Sequence, residues 1–189
     1  HYGHLVVAEE CRDKLNMDRV LFVPAGLPPH KQVGTLTAPQ HRMAMVRLAI
    51  ASNSSFDVSP IELRRPGPSY SVDTLCQLKR QQRGDTEMFF IMGADALAEL
   101  PSWHDPASLL ANCRLVVVTR PGAPEVALSD LDDIYRGATD RITVLDAPQL
   151  DIASSDIRGL VAMGVTVRYQ VPDEVIAYIV SNGLYRVPG

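Results

Sequence analysis

The feature that most constrains this chain is its alternation of short apolar runs with stretches of helical spacing. "MFFIMGA" and "LVVVT" are strand-sized and apolar throughout, and helix-like sequences separate the strand candidates from one another. A strand without a polar face must be covered on both sides, and strands joined through helices run parallel. The pattern predicts an α/β fold: a doubly wound parallel sheet with helices on both faces.

Along the chain, Val7, Cys11 and Leu15 stand at four-residue spacing and predict an amphipathic helix over 4–16. "RVLFVP" (19–24) predicts a short strand, and the Gly- and Pro-rich "AGLPPHKQVGTLT" (25–37) a long loop. Thr37 and Gln40 have the capping-box spacing ahead of the next helix. "FDVSPIELRR" predicts one or two strand segments, and "VDTLCQLKRQQ" a helix. "EMFFIMG", "CRLVVVTRPG" and "RITVLDAP" predict strands. Two helices close the chain. The first, "SSDIRGLVAMG", has Ser154 or Ser155 as its N-cap. The second, "PDEVIAYIVSNGLY", has Pro172 at its start and Gly183 just past its end. Parallel sheets bind ligands at the carboxyl ends of their strands, which directs attention to "PAGLPPHK", "GADALAELPSW" and "TRPG".

The length, 189 residues, fits a single domain over 1–189. Net charge is −4 with no block of Lys or Arg, which argues against a nucleic-acid partner while leaving room for a small anion. No apolar run reaches the length of a membrane span. Three dispersed cysteines without CxxC spacing predict reduced thiols in a cytoplasmic protein and no zinc site.

The opening residues, His-Tyr-Gly-His, stand where a helix begins. Unpaired N–H groups and the positive end of the helix dipole make such a start suited to phosphate, and Gly3 would let a ligand approach the backbone. Taken alone, these four residues favour a trimmed end or a tag remnant.

With the rest of the chain they acquire a second meaning. "HYGH", "LFVPAGLPPHK" (21–31), "PSYSVDTL" (68–75) with "FIMGADALAELPSW" (90–103), and "IASSDIR" (152–158) follow one another in a recognisable order. The chain resembles bacterial nicotinate-nucleotide adenylyltransferase, of the HxGH nucleotidyltransferase superfamily, which has a Rossmann-like fold. The resemblance spans essentially the whole chain. Members of that family begin with a strand and a GGTFDP-like loop ahead of HxGH. Neither is present here, and the resemblance implies that the first strand and that loop are missing from this sequence. Ala153 stands where the family has Ser, and Ser155 where it has Thr, a change that keeps the hydroxyl.

The resemblance implies transfer of AMP from ATP to nicotinate mononucleotide, giving nicotinate adenine dinucleotide and pyrophosphate, with Mg²⁺ carried on ATP and no metal held by protein side chains. His1, His4 and Arg158 would be catalytic, meeting the phosphates. His1, Gly3, His4, Gly93, Asp95, Ser154, Ser155 and Arg158 would bind ATP, Asp95 through the ribose hydroxyls. Trp103 would stack on the pyridine ring. Thr74 would present its backbone N–H to the nicotinate carboxylate, or merely support its helix. Lys31, Arg42 and Arg120 would serve the phosphates on the nicotinate mononucleotide side. Asp57, Glu62 and Asp73 receive no role. The partners implied are the two nucleotides, with neither nucleic acid nor membrane, and a homo-oligomer is left open. Two alternatives stand: a sister transferase of the pantetheine-phosphate or cytidylyl type, and a non-catalytic nucleotide-binding relative.

Overall fold

Parallel strand pairing governs the architecture, because a parallel strand can be reached only through a crossover, usually helical. The computed structural model describes residues 1–28, 36–82, 84–119, 128–148 and 150–186. Its elements are α1 (Tyr2–Lys14), β1 (Val20–Phe22), α2 (Pro39–Ile50), β2 (Phe56–Val58), α3 (Ser71–Gln81), β3 (Phe89–Gly93), α4 (Ala94–Glu99) and α5 (Pro106–Asn112). They continue with β4 (Arg114–Thr119), β5 (Ile142–Asp146), α6 (Ser154–Ala162) and α7 (Asp173–Ser181). A 3-10 turn over Leu100–Ser102 joins α4 to the loop before α5.

Among the described residues the strands fall into two parallel sheets, where a single one was expected. β1 and β2 pair in parallel with Val20 opposite Phe56. β3, β4 and β5 form a second parallel sheet in that order, with Phe89 opposite Arg114 and Leu115 opposite Ile142. The chain divides accordingly into two compact units. One comprises His1–Pro24, Gly34–Pro60 and Pro148–Gly189; the other comprises Ala25–Val33 and Ile61–Ala147. The class is the one expected, mixed α/β with parallel sheets flanked by helices.

In the second unit β4 is central, and its apolar run explains why: Leu115, Val116 and Val117 are at most 1% exposed. Leu97, Leu100, Leu109 and Leu110 pack with Leu115 and Val117 in the core of this unit. β5 lies at the sheet edge, and there Val144 faces solvent. In the first unit Ile157 of α6 packs with Val167, Val171, Val175 and Ile179, flanked by Met45 and Leu48 of α2.

The ends of α7 follow the local chemistry of the sequence, and the starts of α2 and α6 do not. Pro172 caps α7 and Gly183 follows it at φ +60°, a left-handed conformation glycine adopts without a Cβ penalty. Thr37, however, does not cap α2. Ala38 is the N-cap, Pro39 takes the first helical position, and the Thr37 hydroxyl donates to Tyr185 Oη at 3.2 Å. Nor do Ser154 and Ser155 cap α6. Ala153 holds that place without a side-chain bond, and the serines stand inside the first turn. Of the one or two strand segments expected over "FDVSPIELRR" one forms, β2, and beyond Pro60 the chain runs through turns.

Leu115→Ala should cost about 2–5 kcal/mol, as emptying a sealed core site does. Val144→Ala at the exposed edge should cost well under half of that. Urea denaturation of both variants checks the contrast.

Candidate active site

In the first unit the site is built from the first turn of α1 and the segments flanking α6. His1 is the N-cap of α1, so "HYGH" lies within the helix start rather than ahead of it. The Tyr2 N–H donates to the Gln170 carbonyl at 3.0 Å, which uses one of the free amides expected to face a ligand. His4 N–H donates to the His1 carbonyl at 3.1 Å. The rings of His1 and His4 stack with centroids 3.7 Å apart.

Gly3 has a local reason to be glycine. A Cβ there would lie 3.0 Å from His1 Nδ1 and 3.6 Å from the Leu150 carbonyl oxygen. The missing side chain makes room for the imidazole, where sequence reasoning assigned the room to a ligand. His1 Nδ1 is buried with no hydrogen-bond partner among the described residues. A buried ring nitrogen left unpaired is costly. Although His4 is exposed at the surface, desolvation by the groups around its ring, then the positive amino terminus, lowers its pKa to about 4. The free His4 imidazole is therefore neutral near pH 7, able to donate one hydrogen bond and to accept a proton when an anion arrives.

The segments entering and leaving α6 both touch this turn, Leu150 beside Gly3 and Gln170 on the Tyr2 amide. On α6 itself Ile157 is buried while Ser154, Ser155 and Arg158 are exposed. The Ser155 hydroxyl donates to Asp156 at 3.1 Å. No hydrogen bond or ion pair among the described residues engages the Arg158 guanidinium, so its five donors are available. Arg42, at the start of α2, donates from Nε to the Thr37 carbonyl at 2.9 Å. Part of its donor set thus serves its own helix.

In the second unit the predicted residues gather around β3 and the start of α3. Gly93 ends β3 and is exposed, and a Cβ there would meet nothing within 4 Å. Packing among the described residues gives no reason for glycine at this position. Asp95 is exposed in the first turn of α4 and does not cap it, since Gly93 is the N-cap. Trp103 is not simply a loop residue. It is half-buried against the core of its unit and meets Phe90 edge-on with centroids 6.0 Å apart. Beside it His104 stacks on Tyr70, centroids 4.2 Å apart, and Asp105 caps α5 by accepting from the Ser108 N–H.

Thr74 differs from its expected role. Its N–H donates to the Tyr70 carbonyl at 3.2 Å, as in any helix, and so is not offered to a ligand. Its buried hydroxyl donates to Glu62 Oε1 at 2.8 Å and accepts from Arg65 Nη2 at 2.7 Å. Both polar groups of Thr74 are thus engaged within its own unit. Lys31 and Arg120 lie outside the described residues. Glu62, which receives no role from the sequence, and Arg65 and Tyr70, which the sequence does not single out, are the residues that engage Thr74. Among the described residues no group of three or more His, Cys, Asp or Glu is placed to hold a metal, and no helix is long and apolar enough to cross a membrane. Cys11, Cys76 and Cys113 are free thiols.

Residues 1–160 match the family described as cytidylyltransferase-like. A Roseiflexus protein named probable nicotinate-nucleotide adenylyltransferase is 49% identical over 186 residues, covering 98% of this chain and 92% of the relative. A Thermomicrobium roseum protein of the same name is 46% identical, covering 98% of this chain and 86% of its own length. Among solved structures, the Plasmodium falciparum nicotinic acid mononucleotide adenylyltransferase complexed with NaAD superposes with a TM-score of 0.75. It shares 19% identity, over 97% of this chain and 90% of that one. That likeness is one of fold, and the fold is Rossmann-like.

The His4 shift has a consequence for stability. Unfolded, the imidazole takes its proton near pH 6.5; folded, it resists until about pH 4. The unfolded state therefore binds more protons within that window, and stability falls as pH is lowered through it. His4→Gln should flatten the fall. Urea midpoints measured between about pH 7 and pH 4.5 check this, and an unchanged slope would contradict it.

Proposed function

The chain belongs to the cytidylyltransferase-like family, and we propose that it is an adenylyltransferase moving AMP from ATP to nicotinate mononucleotide, releasing pyrophosphate. Relatives of that name at 49% and 46% identity, matched over nearly the whole chain, support the substrate pair. The observation that carries the mechanism is the meeting, within one unit, of the first turn of α1 with the segments on both sides of α6. The family match runs from residue 1 to 160 through both units, which supports reading them as one transferase domain.

The acceptor is already an anionic phosphate and needs no general base. Catalysis then consists of in-line positioning and stabilisation of charge on the α-phosphate and the departing pyrophosphate. His1 and His4 donate to phosphate oxygens at the start of α1, and the growing negative charge raises the proton affinity of His4. Arg158 offers its planar fork to the same triphosphate, beside the first-turn N–H groups and hydroxyls of Ser154 and Ser155. Gly93 leaves room for the adenosine, and Asp95 accepts from the ribose diol. Trp103 offers the exposed part of its ring to the pyridine, and Arg42, Lys31 and Arg120 attend the phosphate of the acceptor.

Mg²⁺ would arrive on ATP and offset triphosphate charge. A reducing, cytoplasmic setting is supported by the free thiols, two of them buried with pKa values pushed up by burial to about 11 for Cys11 and about 12 for Cys113.

A coupled assay with ATP and, side by side, nicotinate mononucleotide, nicotinamide mononucleotide and phosphopantetheine tests the reading. Turnover should be highest with nicotinate mononucleotide; turnover of phosphopantetheine alone would overturn it. Arg158→Ala should lower kcat by about 10²- to 10³-fold with little change in KM, because the charge it meets is largest in the transition state. Trp103→Ala should instead raise KM for the pyridine nucleotide by about tenfold, the equivalent of one lost stacking contact.

A further inference from the structure

Glu62, a residue without a role in the transfer chemistry, connects two segments far apart in sequence. Its Oε2 accepts from the Gly26 N–H at 3.1 Å, across 36 residues. Its Oε1 accepts from the Thr74 hydroxyl at 2.8 Å, one turn into α3. The same hydroxyl accepts from Arg65 Nη2 at 2.7 Å, so carboxylate and guanidinium are joined through Thr74. Arg65 Nε and Nη1 are buried with no acceptor among the described residues, so the Thr74 hydroxyl and, beyond it, the Glu62 carboxylate are what this guanidinium meets through Nη2.

A second tie runs alongside. Ser69 Oγ accepts from the Leu27 N–H at 3.3 Å, and the Ser69 N–H donates to the Leu27 carbonyl at 2.8 Å. The approach of the two segments is so close that a Cβ on Gly26 would lie 2.5 Å from the Glu62 carbonyl oxygen and would collide with the Ser69 hydroxyl. Gly26 is glycine because this contact admits nothing larger. The result is a pinned loop start at 25–27 and a fixed first turn of α3, next to the Tyr70–His104 stack and Trp103.

We infer that Glu62 is a positioning residue for the pyridine-nucleotide side of the site: by holding Gly26 and Thr74 together it sets the first turn of α3 and the loop that opens at Ala25. The inference rests on the reading of the chain as a nicotinate mononucleotide adenylyltransferase. Glu62 touches neither nucleotide. It acts through the backbone it holds, so its loss changes how the acceptor is bound and leaves the phosphate chemistry of α1 and α6 alone. The isosteric amide can keep both contacts, accepting from Gly26 and donating to Thr74, whose own proton then turns to the Tyr70 carbonyl, 3.3 Å away.

The test compares wild type with Glu62→Ala, Glu62→Gln, Thr74→Val and the Glu62→Ala/Thr74→Val double variant. Glu62→Ala should raise KM for nicotinate mononucleotide by about tenfold, with kcat and KM for ATP within about twofold, the size of one charged hydrogen bond lost. Glu62→Gln should recover most of the loss. The double variant should be little worse than the poorer single one, because the pair acts as a unit. Amide hydrogen exchange at Gly26 in the ligand-free protein supplies a readout independent of turnover, and in Glu62→Ala it should quicken by about tenfold or more. Equal changes in both KM values, additive effects in the double variant, or unchanged exchange at Gly26 would each overturn the positioning role. A wild type that makes no dinucleotide from nicotinate mononucleotide would overturn the functional reading instead, while the exchange measurement would still decide the role of Glu62.

Discussion

Parallel pairing is the constraint from which the rest follows. A strand that must be rejoined from its other end needs a crossover, and the crossovers here are mostly helices whose first turns leave amide hydrogens without partners. β3 runs directly into α4, and the return to β4 passes through α5. Unpaired donors at helix starts are thus a by-product of the sheet. The two imidazoles stacked at α1 and the Arg158 guanidinium in α6 stand at helix starts outside those crossovers, before β1 and after β5.

How the protein treats those donors differs from place to place. At α1 one amide is already engaged by Gln170, and the histidine rings are the groups left to meet a ligand. At α6 the N-cap is Ala153, so the serine hydroxyls inside the first turn are not consumed by capping. At α3 the Thr74 amide is spent inside the helix and its hydroxyl on Glu62, and the turn is held by a buried polar relay. Of these three helix starts, the first two are suited to chemistry and the third to alignment.

Much of the fold was legible because its signals are local. The apolar run of β4 identifies a central strand, and Pro172 with Gly183 brackets α7 from sequence alone. The errors arise where a distant partner decides. Thr37 has the spacing of a capping box, yet its hydroxyl is drawn to Tyr185, 148 residues away. The run "IELRR" leaves room for a second strand segment, but its Glu and Arg are used in contacts with Gly26 and Thr74. Gly3 could be read as room for a ligand because the ring it accommodates, that of His1, shows no preference for that place in sequence. Candidate residues carried by a motif, such as His4 and Arg158, stand out in the sequence by themselves. Glu62 does not, since nothing in a one-dimensional pattern links it to a glycine 36 positions earlier.

The central claim is that the first turn of α1 and the first turn of α6 hold one triphosphate between them. A crystal structure of the protein with a non-hydrolysable ATP analogue tests it most directly. The account predicts the His4 imidazole and the Arg158 guanidinium each about 3 Å from oxygens of the same polyphosphate. A bound analogue whose phosphates reach only one of the two, with the other turned to solvent, would contradict it.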